Sequence, residues 1–441
     1  MKKKRDRSFL LLILAVLMLF SACGKESGKA DGTASSKKKS EKEETLESTL
    51  EKAETCAKTY DYDAAINTLT SYDSNWESNE TLSKTVSSYQ EQKEELVRVD
   101  ASTIPHIFFH SLIADTDRAF DGDYDSGGYN QYMATVDEFE TILQQMYDNG
   151  YVLVSIYDVA PKVTFIDGTT QYKPGMIMLP KGKKPFVMSQ DDVNYYEYMT
   201  DSDEDHIADK GGDGFATKLV IDENGDPTCE YITADGKVVT GNYDLVPVLE
   251  DFIKEHPDFS YRGARAILAV TGYDGVLGYR TASKYKDILS SKDYKKEVEE
   301  AKKVAECLKE HGYIICSHSF GHPAYGSISD ESLAKDCAQW EEEVQPIVGD
   351  TDILLYPYGS DIAGIEDYSG FKFETLYNAG YRYFCNVDSA PSWLQIHDNY
   401  VRQARRNIDG YRMYYTPNLL DDLFDTDTVF DPARPDPVPP I

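Results

Sequence analysis

KEVEEAKKVAECLKEHGYIICSHSFGH, residues 296–322, decides the fold. Val298, Ala301, Val304 and Leu308 recur at the spacing of one helical face, and Gly312 stops the helix. Residues 313–317 then form a short apolar run that reads as a buried strand, and the strand ends on His318, with His322 four residues on. Helix, strand, then polar residues is one unit of a parallel sheet with crossover helices. The same grammar runs outward in both directions. Upstream, strands are expected at 104–109, 151–155, 185–188 and 264–270. Between them lie a helix with a Thr135/Glu138 capping box and apolar Phe139, Ile142, Leu143 and Met146, and a second helix at 245–256. Downstream come a helix with Leu333, Cys337, Trp340, Val344 and Ile347 inward, a strand at 352–355, a helix ending at Gly380 and a strand at 381–387. About seven strands in this order predict an α/β fold closed into a barrel rather than an open sheet.

Residues 200–243 break the alternation. FATKLVID, ENGD and EYITADGKVV read as hairpins with NG and DG turns, so a β-rich insertion is expected inside a barrel domain spanning 104–420. Residues 45–98 have apolar positions at helical spacing and no strand signal, which predicts a helical spacer. The tail, 421–441, is Pro-rich and reads as extended.

At the amino terminus, KKKRDR, an apolar run over 9–22 and then Cys23 have the order of a secretory signal, too short to span a membrane. LFSAC resembles the lipobox of bacterial lipoproteins, with Phe20 in place of the usual Leu. That resemblance implies a signal peptide at 1–22, lipidation of Cys23, and an extracytoplasmic chain anchored to the bacterial cell membrane. Residues 23–44 are almost all Lys, Ser, Gly and Glu and read as a flexible tether. Of the 441 residues, 77 are acidic and 45 are Lys or Arg, for a formal charge of −32. Removing 1–22 takes away five basic side chains and one acidic, leaving −36. Such acidity excludes nucleic acid as a partner, and no protein partner is inferable. Six further cysteines, at 56, 229, 307, 316, 337 and 385, contain no CxxC pair and read as neither a disulfide framework nor a zinc knuckle.

A parallel barrel gathers its chemistry at the carboxyl ends of the strands. The expected strands end on His110, then on Asp191 and Asp192, then on His318 and His322, then on Pro357, Tyr358 and Gly359, and finally on Asp388. Two imidazoles four apart lie on one face of a helical turn and can hold one ion, and an Asp oxygen completes an open site. Aromatic faces stack on sugar rings, which makes Tyr195 and Trp393 platform candidates and Tyr279, in TGYDGVLGYRT, a groove candidate.

SQDD at 189–192, HSFGH at 318–322 and YPYG at 356–359, in that order after FFHSL, resemble the metal-dependent polysaccharide deacetylases of the NodB-homology, carbohydrate esterase 4 type, over about 104–415. The resemblance implies a distorted (β/α) barrel, hydrolysis of N-acetyl groups on a cell-wall or extracellular N-acetylglucosamine polysaccharide, and one divalent transition ion. Zinc is the first expectation, and cobalt, nickel and manganese also suit two imidazoles and a carboxylate. It implies Asp191 as general base, Asp192, His318 and His322 as ligands, and the Tyr358 N–H as oxyanion donor. YPYG and FFHSL look more like the circularly permuted branch acting on poly-N-acetylglucosamine, which makes His110 the catalytic acid and His397 its competitor. Gln190 replaces the family's Phe, Val193 its Gly, and Leu355 stands where many members carry an Arg that tunes the base. Arg402, Arg405 and Arg406 either replace that cation or offset the acidic surface. These departures keep open an alternative, a catalytically degenerate glycan-binding lipoprotein. A solute-binding lipoprotein fits less well, because the chain shows one barrel series and not two lobes.

Overall fold

Short apolar runs ending in a polar residue become the staves of a barrel. In the computed structural model, which describes residues 45–201, 206, 208–210 and 212–441, these are β1 (His106–Phe109), β2 (Lys184–Gln190), β3 (Ile267–Val270), β4 (Ile314–Ser317), β5 (Ile353–Leu355), β6 (Tyr383–Val387) and β7 (Val401–Asn407). Each pairs in parallel with the next in sequence, and β7 returns to β1 through Arg405↔His106 and Asn407↔Phe108. Closure leaves the ring no free edge.

Strand side chains alternate between faces, and the buried residues separate accordingly. Val187, Ile267, Ala269, Cys316, Ile353, Leu355, Tyr383, Cys385 and Val401 cluster on one side of the strands. Ile107, Phe109, Met188, Leu268, Val270 and Ile315 cluster with helix residues Phe139, Ile142, Val304 and Leu308 on the other. The first set is the barrel interior, and the second is its coat.

Two strands depart from expectation. The run at 151–155 forms a strand, Tyr151–Leu153, but among the staves it pairs only with the lower half of β2. That is the edge β3 uses higher up, at Ser189 and Gln190. The wedge parts β2 from β3 at the amino end and distorts the barrel. The seventh stave is instead β7, which was not expected, because its inward positions after Val401 are Gln403 and Arg405, both buried.

The expected helices form where the pattern placed them. Val136–Asp148 starts on the Thr135/Glu138 capping box, with both reciprocal bonds made. Within 200–243, Lys218–Ile221, Pro227–Ile232 and Val238–Gly241 form a three-stranded antiparallel sheet, and Gly225 and Gly236 take positive φ in its two turns. Leu46–Lys58, Tyr62–Tyr72 and Glu80–Glu94 form a helical segment around Ala53, Ala65, Leu69, Leu82 and Val86. It sits on the amino end of the barrel, where the Tyr60 hydroxyl donates to the Asp258 carbonyl at 3.0 Å.

The Pro-rich tail is docked rather than free. Arg434 donates to Glu138 at 2.6 Å and to the Asn130 and Met133 carbonyls, and the Arg434 and Glu138 side chains are both 0% exposed. The Tyr415 hydroxyl donates to the carbonyl of the fully buried Val438. The described cysteines are unpaired thiols, and all but Cys56 are buried. No helix among the described residues is long and apolar enough to cross a membrane. The expected signal peptide, Cys23 and tether lie outside the described residues.

Candidate functional site

Strand alternation delivers the site. His110 extends the parity of His106 and Phe108, Asp191 that of Val187 and Ser189, and His318 that of Cys316, so all three continue the inward face past the strand ends. The site is therefore the uppermost layer of the barrel interior.

The two histidines are not on a helix. Residues 318–322 form a loop in which Ser319 and His322 take φ of 64° and 57°. The loop is held by Asp336, which accepts the N–H groups of Phe320 and Gly321 at 2.8 Å each. His318 donates from Nδ1 to the Leu355 carbonyl at 2.8 Å, which fixes the tautomer and leaves the Nε2 lone pair free for a ligand. Burial pushes this imidazole down against the pull of Asp191 and Asp192, favouring the neutral form a metal needs. His318 Nε2 and His322 Nε2 lie 3.2 Å apart, and Asp192 Oδ2 is 3.7 Å from His322 Nε2. Two nitrogens about 2.0–2.1 Å from one tetrahedral ion sit about 3.3 Å apart, so the pair fits a shared metal. Asp192, His318 and His322 are one of two sets among the described residues with ligand atoms within 4.8 Å of one another, the other being the all-carboxylate Asp123, Asp125 and Asp213. The other Asp192 oxygen accepts the Tyr196 hydroxyl at 2.5 Å.

Asp191 is separate from that set and differently held. Its N–H donates to the Phe109 carbonyl at 2.8 Å, and its Oδ1 accepts Arg405 Nη1 at 2.5 Å, with side-chain exposures of 4% and 0%. Burial alone would push this carboxyl up. Arg405, then His318 at 3.8 Å, outweigh it and hold the carboxyl well below the ordinary range. Arg405 is thus the cation that Leu355 does not supply. Of the two roles left open for the three arginines, offsetting the acidic surface does not fit, because all three are buried. Arg405 is buried on Asp191, while Arg402 pairs with Asp361 and Arg406 with Asp422. Leu355 is an interior core residue.

Gln190 has its own partner. It donates to both oxygens of buried Asp244, which also accepts the Leu112 N–H at 2.9 Å and the Tyr195 hydroxyl at 2.5 Å. That contact corrects the expectation for Tyr195, which is 0% exposed and offers no face to a ligand. Tyr279 is corrected likewise, because it is buried with its hydroxyl on the Leu219 carbonyl of the insertion. Trp393 is half-buried against the Arg402 guanidinium, 5.0 Å from its ring centre, and is engaged there rather than at the cluster.

His110 stands at the rim with Nδ1 3.0 Å from the Tyr132 carbonyl. Buried Asp409, which the sequence did not single out, lies close to it. Burial raises the Asp409 carboxyl, and His110 is among the groups that pull it back. His397 is removed as competitor. It stacks on Tyr400 at 4.2 Å and precedes Val401, which pairs with Tyr383 at the start of β6, so it lies at the opposite end of the barrel.

The YPYG turn completes the rim. Tyr358 has φ 56° and is 75% exposed, its ring edge-on to His322 at 4.5 Å. Gly359, at φ 63°, lies so close to Val387 that a Cβ there would sit 2.6 Å from the Val387 Cβ. Among the described residues, non-glycine positive φ occurs at nine positions, and five of them are Asp192, Tyr195, Ser319, His322 and Tyr358. Backbone strain concentrates at this rim, as it does where geometry is functional.

No curated protein matches this chain. Among solved structures, the Streptococcus pyogenes deacetylase PplD in complex with acetate is similar at 14% identity and a TM-score of 0.37, over 74% of this chain and 99% of that one. Residues 291–383, which hold both histidines and the YPYG turn, match the family model for polysaccharide deacetylase.

Proposed function

We propose that the protein hydrolyses N-acetyl groups on an N-acetylglucosamine polysaccharide of the cell wall or extracellular matrix, with one divalent ion held by Asp192, His318 and His322. The observation that carries this reading is the pair of carboxylates, adjacent in sequence but opposite in environment. Asp192 faces two imidazole nitrogens, and Asp191 is held ionised by a buried arginine. Zinc is the first expectation, and cobalt, nickel or manganese would also be held by two nitrogens and an oxygen.

The ion would polarise the amide carbonyl and the attacking water. Asp191 takes the proton from that water as general base. The Tyr358 N–H, presented by a turn that Pro357 and Gly359 fix, donates to the oxygen on which charge develops. His110, with Asp409 beside it, gives a proton to the departing amine nitrogen. The acidic surface does not repel the glucosamine cation that results. Export and anchoring through a lipid on Cys23 belong to the same proposal and rest on the amino-terminal sequence.

A glycan-binding protein without turnover drew its support from Leu355 and Gln190. Arg405 and Asp244 account for both positions, so the catalytic reading is favoured. The test is acetate release from N-acetylglucosamine polymers by the purified protein, with metal content measured in parallel. Asp191→Asn is expected to keep one ion per chain and lose turnover, and His318→Ala to lose both. Polymer binding without acetate release from the metal-loaded wild type would return the glycan-binding reading to first place.

A further inference from the structure

All five hydrogen bonds that Arg434 donates, the full capacity of a guanidinium, go to residues 130–138. Nε reaches Glu138 at 2.6 Å, Nη1 the Asn130 carbonyl and side-chain oxygens at 3.1 Å each, and Nη2 the Met133 carbonyl and Glu138 at 2.6 Å each. The bonding is returned, since Asn130 Nδ2 donates to the Pro435 carbonyl and Gln131 Nε2 to those of Pro439 and Pro440. Residues 130–133 close the seven-residue helix Ser126–Tyr132. With Gly127 and Gly128 in it, that helix is weak by itself, so its place is set from outside.

The same stretch carries a partner of the candidate acid. Between Asn130 and Met133 lies Tyr132, whose carbonyl accepts His110 Nδ1–H at 3.0 Å. The other partner arrives from a different element. Asp409 caps the helix Gly410–Tyr415, and Gly410 lies so close that a Cβ there would sit 2.1 Å from the Asn130 carbonyl oxygen and 2.5 Å from Arg434 Nη1. One buried guanidinium therefore stands where the two elements that flank His110 meet.

An imidazole with its Nδ1–H on a backbone carbonyl carries its transferable proton on Nε2. As the C–N bond breaks, its electron pair stays on nitrogen, which takes the Nε2 proton, and the imidazole is left neutral with Nδ1–H still on Tyr132. A shift of about 1 Å in such a group can cost about a hundredfold in rate.

We infer that Arg434 is a positioning residue, which fixes residues 130–133 and Gly410 so that the Tyr132 carbonyl and Asp409 hold the His110 ring in place for proton delivery to the departing amine. This rests on the deacetylase reading above, with His110 as its acid.

The experiment compares two acetyl substrates with the metal-loaded protein. An N-acetylglucosamine polymer has an amine leaving group that must be protonated, whereas p-nitrophenyl acetate has one that leaves as the anion. In Arg434→Met and Arg434→Lys, kcat on the amide is expected to fall about ten- to a hundredfold more than kcat on the ester, with little change in KM or metal content. Lys keeps the charge beside Glu138 and loses the fork. The double variant Glu138→Gln/Arg434→Met leaves no buried charge and serves if Arg434→Met fails to fold. His110→Ala is expected to show the same split, and a larger one. A split in His110→Ala but not in the folded Arg434 variants, whether both substrates slow equally or neither does, overturns the inference and leaves deacetylation standing. No split in His110→Ala removes His110 as the acid and the inference with it. If the wild type does not take the ester, the split is read on the polymer alone, where a loss in KM or metal content rather than in kcat overturns the inference. No acetate from any polymer overturns the function itself.

Discussion

Replacing Arg405 with Met should show how strongly the barrel interior depends on one ion pair. Arg405 Nη1 lies 2.5 Å from Asp191 Oδ1, and the two side chains are 0% and 4% exposed. With about 4 Å between charge centres and an effective dielectric near 20, their attraction is about 4 kcal/mol. That agrees with the roughly 3–5 kcal/mol lost when one partner of a buried pair is removed. The guanidinium also stacks 4.3 Å from the Phe108 ring centre, worth about 1 kcal/mol. Met keeps much of the volume and removes the charge, so the remaining loss is electrostatic. Urea unfolding followed by tryptophan fluorescence should place Arg405→Met about 3–5 kcal/mol below wild type. Asp191→Asn, which leaves the arginine unpaired, should fall in the same range, and the double variant should lose at least about 2 kcal/mol less than the two combined. The sign with pH comes from the depressed Asp191 carboxyl. Its stabilisation is present above the unfolded value near 3.9 and is lost as pH falls through the lower folded value, so the gap between wild type and Arg405→Met narrows only in strong acid. Additivity within about 0.5 kcal/mol, or a single-variant cost below about 1 kcal/mol, would refute the coupling.

Contacts elsewhere in the chain carry further expected outcomes. Tyr196→Phe removes the hydroxyl that holds one Asp192 oxygen and should weaken metal binding about ten- to a hundredfold in chelator competition; an unchanged affinity would show that Asp192 needs no such support. Burial, with Asp123, Asp125 and Asp121 adding to it, raises the Asp213 carboxyl to about 6. Its ionised form therefore costs stability above that pH, and the cost disappears as pH falls toward the unfolded value near 4. Asp213→Asn should accordingly raise the melting temperature at pH 7.5, by the equivalent of about 1 kcal/mol after discounting for solvent, and the gain should fade below pH 6; a gain independent of pH would refute this. Arg434→Met leaves Glu138 charged at 0% exposure and should cost about 3–5 kcal/mol in urea unfolding; a loss under about 1 kcal/mol would mean the tail is not fastened there.

The barrel was legible because six of its seven staves are apolar runs, each followed by a helix or a turn signal. β7 was not, because a strand that lines a reactive interior carries polar residues where the pattern demands apolar ones. Val401, Gln403 and Arg405 alternate correctly, but VRQARRN is indistinguishable in composition from a surface segment. The chemistry at the strand ends was legible through parity, since His110, Asp191 and His318 each fall on the inward set. Beyond Asp191 parity fails. Asp192 and Tyr195 take φ of 57° and 47°, and each left-handed residue rotates the next side chain away from the alternation, so nothing local separates buried Tyr195 and Tyr196 from exposed Tyr198. The fates of Tyr279 and of the tail depend on partners 60 and 296 residues away, distances over which spacing carries no signal.

The displaced cation shows what kind of information a motif holds. An arginine expected beside the YPYG turn is replaced by one on the last strand, because the requirement at Asp191 is for a positive charge inside the upper barrel and not for a position in the chain. Any stave can satisfy it whose inward parity reaches that layer, and β7 does so because closure places Arg405 opposite His106 of β1, while Phe109 of β1 lies opposite Gln190 of β2. The candidate metal set is less free. His318 and His322 must aim two nitrogens at one point, and the left-handed turn that achieves this is specified by five consecutive residues. A ligand set bound by local geometry survives as a readable motif, whereas a charge bound only by burial and distance can move between strands and leave a gap where the motif expects it.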